Sequence, residues 1–147
     1  MIKDRRNGKL YTMEATGAEG VDIYDLCARL DRVQYSRIAV RHLHHDFEDG
    51  RVQEAVDRFM LSAKEKGYKQ SWCEIMRAFC CCCPPNTAQD ESSFFCSELV
   101  ASFYIQLGVL KADVLSNNYN VAFFASSLSD TMINGARLGQ LKVIKNV

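Results

Sequence analysis

The order of patterns along this chain predicts an α+β fold, an antiparallel sheet packed with helices. Strand-like alternation comes early, helical periodicity fills the middle, and a strand-like stretch returns at the end. The early strands have no crossover helix between them, which favours antiparallel pairing. The 147 residues, 48% hydrophobic and 24% charged, suit one globular domain spanning 1–147, with no internal repeat and no interdomain linker.

The elements follow in order. Lys9 to Ala15 reads as a strand, with Tyr11, Met13 and Ala15 on one face and Leu10, Thr12 and Glu14 on the other. Gly17 and Gly20 mark a turn, and Val21 and Ile23 continue in extended form. Asp25 to Arg32 reads as a short helix with Leu26 and Leu30 inward. Tyr35 to Leu43 is β-branched and aromatic and reads as a second strand, with Ile38, Val40 and His42 on one face. After Asp49-Gly50, the residues Val52, Ala55, Val56, Phe59, Met60 and Ala63 form a helical stripe that Gly67 closes. A further helix starts at Ser71, where Glu74 completes a capping-box pattern, and Pro84-Pro85 stops it. A polar loop from Asn86 to Glu91 leads to a helix carrying Leu99, Val100, Phe103, Tyr104 and Leu107, which Gly108 ends. A loop around Asn117, a Phe123-Phe124 segment and a last strand from Ala136 to Ile144 complete the chain.

Composition removes several function classes. Lys+Arg and Asp+Glu both number 18, so bulk charge gives no argument for nucleic acid as a partner. No apolar run reaches bilayer length. The charged residues 1–6 have no apolar segment behind them, so no signal peptide is expected. The seven cysteines then read as reduced thiols of a cytoplasmic protein, and their odd number argues against a complete disulfide set.

One cysteine stands apart. In Ser92-Ser93-Phe94-Phe95-Cys96-Ser97-Glu98-Leu99-Val100-Ala101, Cys96 falls in the first turn of an apolar helix, with the serine pair as an N-cap. Unpaired backbone N–H groups and the helix dipole favour an anion there. Thiolates so placed have pKa values lowered to roughly 3.5–7.5 and act as nucleophiles. The alternative is a buried structural cysteine on the face of Leu99, Val100 and Phe103.

Three segments taken together resemble the circularly permuted branch of the NlpC-type papain-like superfamily, the YiiX/YaeF-like amidases. They are the acid-bearing strand Leu10-Tyr11-Thr12-Met13-Glu14-Ala15-Thr16-Gly17 followed by Glu19-Gly20-Val21, the strand Arg37-Ile38-Ala39-Val40-Arg41-His42-Leu43, and the Phe95-Cys96-Ser97-Glu98-Leu99-Val100-Ala101 helix start. The resemblance covers about Lys9 to about Val143. It implies a papain-like domain with Cys96 as nucleophile and Glu14 as the third polar residue, which orients and charge-balances a histidine. It implies a thiol-dependent hydrolase or acyltransferase acting on an amide or ester bond of a peptide, lipid or small amide, with no metal and no organic cofactor. The family carries its histidine on the strand before the acid, and no histidine precedes Glu14 here. The expectation is a domain apparently lacking its first, histidine-bearing strand, hence a truncated chain or an inactive relative. His42 is the substitute base that strand alternation offers, set against a polar strand end for His42, His44 and His45. Without a base, the second reading is a non-catalytic binding or membrane-associated module.

The run Cys80, Cys81, Cys82 and Cys83 lacks the spaced pairs of a structural zinc site. Reversible S-acylation, and with it membrane association, is the functional reading; a reduced helix end is the plain one.

Overall fold

The computed structural model describes residues 1–4, 7–32, 37–64, 66–69, 85–88, 92–125 and 132–146. The proposed helix from Ser71 and the Cys80, Cys81, Cys82 and Cys83 run lie outside the described residues. The chain is mixed α+β, with small sheets and four α-helices among the described residues.

Three antiparallel strands open it. β1 (Ile2–Lys3) pairs with β2 (Leu10–Thr16), and β2 pairs with β3 (Gly20–Asp25). Strand alternation sends Ala15 and Val21 into the core and Glu14, opposite Asp22, to the other face. Gly20 adopts φ +72°, and a Cβ there would lie 2.6 Å from the Lys66 carbonyl oxygen. A glycine is required on both counts.

The short helix begins at Leu26, not Asp25. Asp25 caps it, its carboxylate accepting the Ala28 N–H at 3.1 Å. This α1 (Leu26–Arg32) buries no residue fully. It is tied to the outer face of β2 by Arg29, whose Nε and Nη2 donate to Glu14 Oε2 at 3.1 and 2.8 Å. The Arg29 guanidinium also lies 4.2 Å over the Tyr24 ring. The Tyr24 hydroxyl donates to Glu19, and that bond pushes its pKa up to about 12.

The second strand is broken. β4 (Arg37–Val40) and β5 (Leu43–His44) pair with β9 (Lys142–Asn146) and β8 (Arg137–Leu138) as one long ribbon with an irregularity between Ile38 and Ala39. The alternation expected for Ile38, Val40 and His42 fails at Arg41. Arg41 turns inward and donates to the carbonyls of Gly139 and Phe124, both at 2.8 Å, so His42 is exposed.

α2 (Asp49–Ala63) uses the expected stripe: Ala55, Val56, Phe59 and Ala63 are buried. It stops at Lys64, before Gly67. β6 (Gly67–Tyr68) and β7 (Ser93–Phe94) pair in parallel, against the antiparallel expectation. The intervening residues are numerous enough for the crossover a parallel pair needs. α3 (Cys96–Leu107) ends at Gly108, at φ +83°. A 3₁₀ turn (Ser116–Asn118) and α4 (Val121–Ala125), the expected Phe123-Phe124 segment, follow.

The core is three adjoining clusters. Ala15, Val21, Phe59, Ala63, Phe94 and Leu99 join the first sheet to α2 and α3. Ala55, Leu107, Val109 and Ala136 form the second, and Ala101, Leu110 and Tyr119 the third. α3 contributes to all three, which fixes the helix that carries Cys96.

Candidate functional site around Cys96

The start of α3 is held from two sides. β6 lies beside β7, with the Gly67 N–H donating to the Ser92 carbonyl and the Lys69 N–H to the Phe94 carbonyl, both at 3.2 Å. On its other side the Lys66 carbonyl accepts the Val21 N–H at 2.8 Å. Residues 66–69 are thus a strap between the first hairpin and the residues that lead into the helix.

The expected serine N-cap is not used, because Ser93 is taken up by β7. Phe95 is the N-cap, extended at φ −85° and ψ 155°. The cap hydrogen bond comes from the other half of the motif: Glu98 Oε2 accepts the Phe95 N–H at 3.2 Å. The second oxygen of Glu98 accepts from Lys69 Nζ at 3.0 Å. Both side chains are buried, at 5% and 2% exposure, so the pair is enclosed next to the cysteine.

Cys96 is exposed, which removes the buried structural reading. Its thiol pKa is nevertheless raised, against the expected lowering. Crowding around the sulfur outweighs the opposing N–H groups of Ser97 and of Cys96 itself. The Tyr68 ring packs 5.6 Å from the Phe95 ring, and burial and then the nearby Cys96 charge push the phenol pKa up. At neutral pH the site therefore holds a neutral thiol beside a neutral phenol.

The structure does not bring the proposed partners to Cys96. Glu14 sits with Arg29 on the face of β2 opposite Ala15, while Leu99 of α3 packs on the Ala15 face. His42 is at the far end of the helix. Its neighbour Leu43 packs in the cluster of Leu107, and Arg41 sits close enough to Tyr104 to act on its charge. The 12 residues of α3 span about 18 Å. The His42 ring contacts that of His44, centroids 4.8 Å apart.

Sequence reasoning missed Tyr68, Lys69 and Arg29. Glu98 carried a readable signal, a carboxylate three residues after the last extended position. Tyr68 and Lys69 carried none, because they reach the site through a two-residue parallel pair. Among the described residues no group of three or more His, Cys, Asp or Glu side chains is placed to hold a metal. No described helix is long and apolar enough to cross a membrane. No family model matches the chain, no curated protein matches its sequence, and no solved structure matches its fold.

Proposed function

We propose that this is a papain-like, thiol-dependent domain acting at amide or ester carbonyls, with Cys96 as the nucleophile. The observation that carries the reading is the exposed Cys96 at the first position of a 12-residue helix, its sulfur facing the N–H groups of Cys96 and Ser97. In the reaction the deprotonated sulfur attacks the carbonyl carbon and a C–S bond forms. The carbonyl oxygen takes the negative charge beside those N–H groups. The C–N or C–O bond then breaks and the leaving amine or alcohol takes up a proton. Water or a second nucleophile later cleaves the thioester.

The raised thiol pKa favours a second reading, a binding module that kept the pocket without its base. Glu14, engaged by Arg29, has no histidine to orient among its described partners. General-base catalysis is worth typically 10²–10⁴-fold, so turnover by this chain is expected to be slow. The test is reaction with p-nitrophenyl acetate followed by intact-mass analysis. The catalytic reading expects one acetyl group on Cys96, lost in Cys96→Ala, and slow release. A Cys96 that is never acylated while the protein stays folded rejects it and leaves the binding module.

A further inference from the structure

A buried ion pair occupies a place where an apolar pair would serve the fold as well. Lys69 Nζ donates to Glu98 Oε1 at 3.0 Å, and the two side chains are 5% and 2% exposed. Taking two charges out of water costs about as much as their attraction returns. Replacing such a pair by apolar side chains of similar volume is often neutral or stabilising. What the pair supplies beyond stability is direction. Each hydrogen bond holds its donor and acceptor in one geometry, whereas apolar packing of the same volume accepts several arrangements.

The bonds converge on Cys96. The Lys69 N–H donates to the carbonyl of Phe94, two residues before the cysteine, at 3.2 Å. The Lys69 ammonium holds Glu98, two residues after it. The other oxygen of Glu98 accepts the N–H of Phe95, the residue immediately before it, at 3.2 Å. Phe94, Phe95 and Glu98 are thus tied to one residue of the strap, around a turn with Cys96 at its first position. The first N–H groups of a helix have no partner within it. Here the Phe95 N–H goes to Glu98, and those of Cys96 and Ser97 face the sulfur. One carboxylate therefore sorts the donors at the helix start between the cap and the thiol.

We infer that Lys69 and Glu98 are positioning residues for the reaction proposed above. They fix the first turn of α3 so that the N–H groups of Cys96 and Ser97 meet the oxygen of the carbonyl that the sulfur attacks. The inference rests on the reading of Cys96 as nucleophile. Neither side chain touches the substrate or carries a proton in the reaction. A misplacement of about 1 Å at a reacting centre can cost about 10²-fold in rate, so a fixed turn matters there.

Two reagents separate position from access. Iodoacetamide forms a C–S bond with the thiolate as iodide leaves, and no oxyanion arises. p-Nitrophenyl acetate reacts through an oxyanion and needs its donors in place. Both reactions are followed by mass on the Cys96 peptide, in the wild-type chain and in Lys69→Met with Glu98→Gln. That variant removes both charges and keeps an oxygen for the Phe95 N–H. Acetylation is expected to fall roughly tenfold or more, with alkylation within about twofold of wild type. If the double variant does not fold, Glu98→Gln alone is read in the same way, with an expected fall in acetylation of roughly threefold. An acetylation-to-alkylation ratio equal to that of the wild-type chain overturns the inference. A parallel fall in both rates also overturns it, because the pair then governs only access to the thiol. A wild-type Cys96 that is alkylated but never acetylated rejects the nucleophile itself, a result distinct from the others because it needs no variant.

Discussion

Lys69 Nζ and Glu98 Oε1 lie 3.0 Å apart with both side chains buried, and the other oxygen of Glu98 caps the helix that begins with Cys96. The pair thus joins the strap of residues 66–69 to the helix that carries Cys96. Removing one partner leaves a buried charge unmatched, which costs about 3–5 kcal/mol. Lys69→Met is expected to lower stability by that order in urea denaturation. Lys69→Met with Glu98→Gln should recover much of the loss, short of the cap strength that the carboxylate supplies. A double variant no more stable than Lys69→Met would mean that the charge is not what the site conserves energetically.

Cys96 titrates late. Its folded pKa lies above its unfolded value of about 8.5, because burial disfavours the thiolate. Alkylation of Cys96 by iodoacetamide should therefore be slower at pH 7 than that of an unstructured thiol, and should keep rising beyond pH 9. The linkage has a definite sign. Between the two pKa values the unfolded chain holds fewer protons than the folded one, so this group makes stability fall as pH rises through that window. A plateau of alkylation below pH 8 would contradict the burial argument. Cys27, exposed on α1, is the internal comparison.

Glu14 and Arg29 are a partly exposed pair, at 24% and 22%. Screening by solvent keeps such pairs near 0–1 kcal/mol. Glu14→Gln is expected to cost no more than that and to leave the Cys96 alkylation rate essentially unchanged. A large fall in that rate would place Glu14 in the cysteine's machinery after all.

Two glycines with nearly the same backbone separate strain from collision. Gly8 has φ +71° with nothing within 4 Å of a Cβ, whereas Gly20 has φ +72° and a Cβ contact of 2.6 Å with the Lys66 oxygen. Gly8→Ala is expected to cost about 1–2 kcal/mol, the left-handed penalty alone. Gly20→Ala must add displacement of the strap, and should be clearly worse by thermal melting.

The four consecutive cysteines are testable without structure. If they are S-acylated in cells, replacing Cys80, Cys81, Cys82 and Cys83 together by serine should move the protein to the soluble fraction. Single replacements should do little, since two or more chains give stable anchoring. A hydroxylamine-sensitive label that persists in the quadruple variant would reject that assignment.

Local pattern made much of this fold readable. The β2–β3 hairpin, α2 and α3 each follow one period, and glycines mark the hairpin turn and the end of α3. What stayed hidden depends on distant partners. The inward turn of Arg41 is set by the carbonyls of Phe124 and Gly139, about which a local window holds no information. The exposure of Cys96 was likewise unreadable, since periodicity placed it with Leu99 on an apolar face. Helix position, which lowers a thiol pKa, is legible in the sequence; the crowding around the sulfur, which raises it, is not. Glu14 could be read as an outward strand carboxylate, but its engagement with Arg29 depends on how α1 folds back over the sheet.

The ribbon formed by residues 37–44 and 137–146 also has a meaning in time. Arg41 and Gly139 are 98 residues apart along the chain. At a synthesis rate of about 5–20 residues per second, the first strand waits roughly 5–20 s before its partner leaves the ribosome. Until then β4 offers both of its edges to any strand that passes. The late closure of so long a loop also makes this ribbon a slow step of folding. A nascent chain halted before residue 137 should therefore be the form of this protein most prone to capture by chaperones or to aggregation.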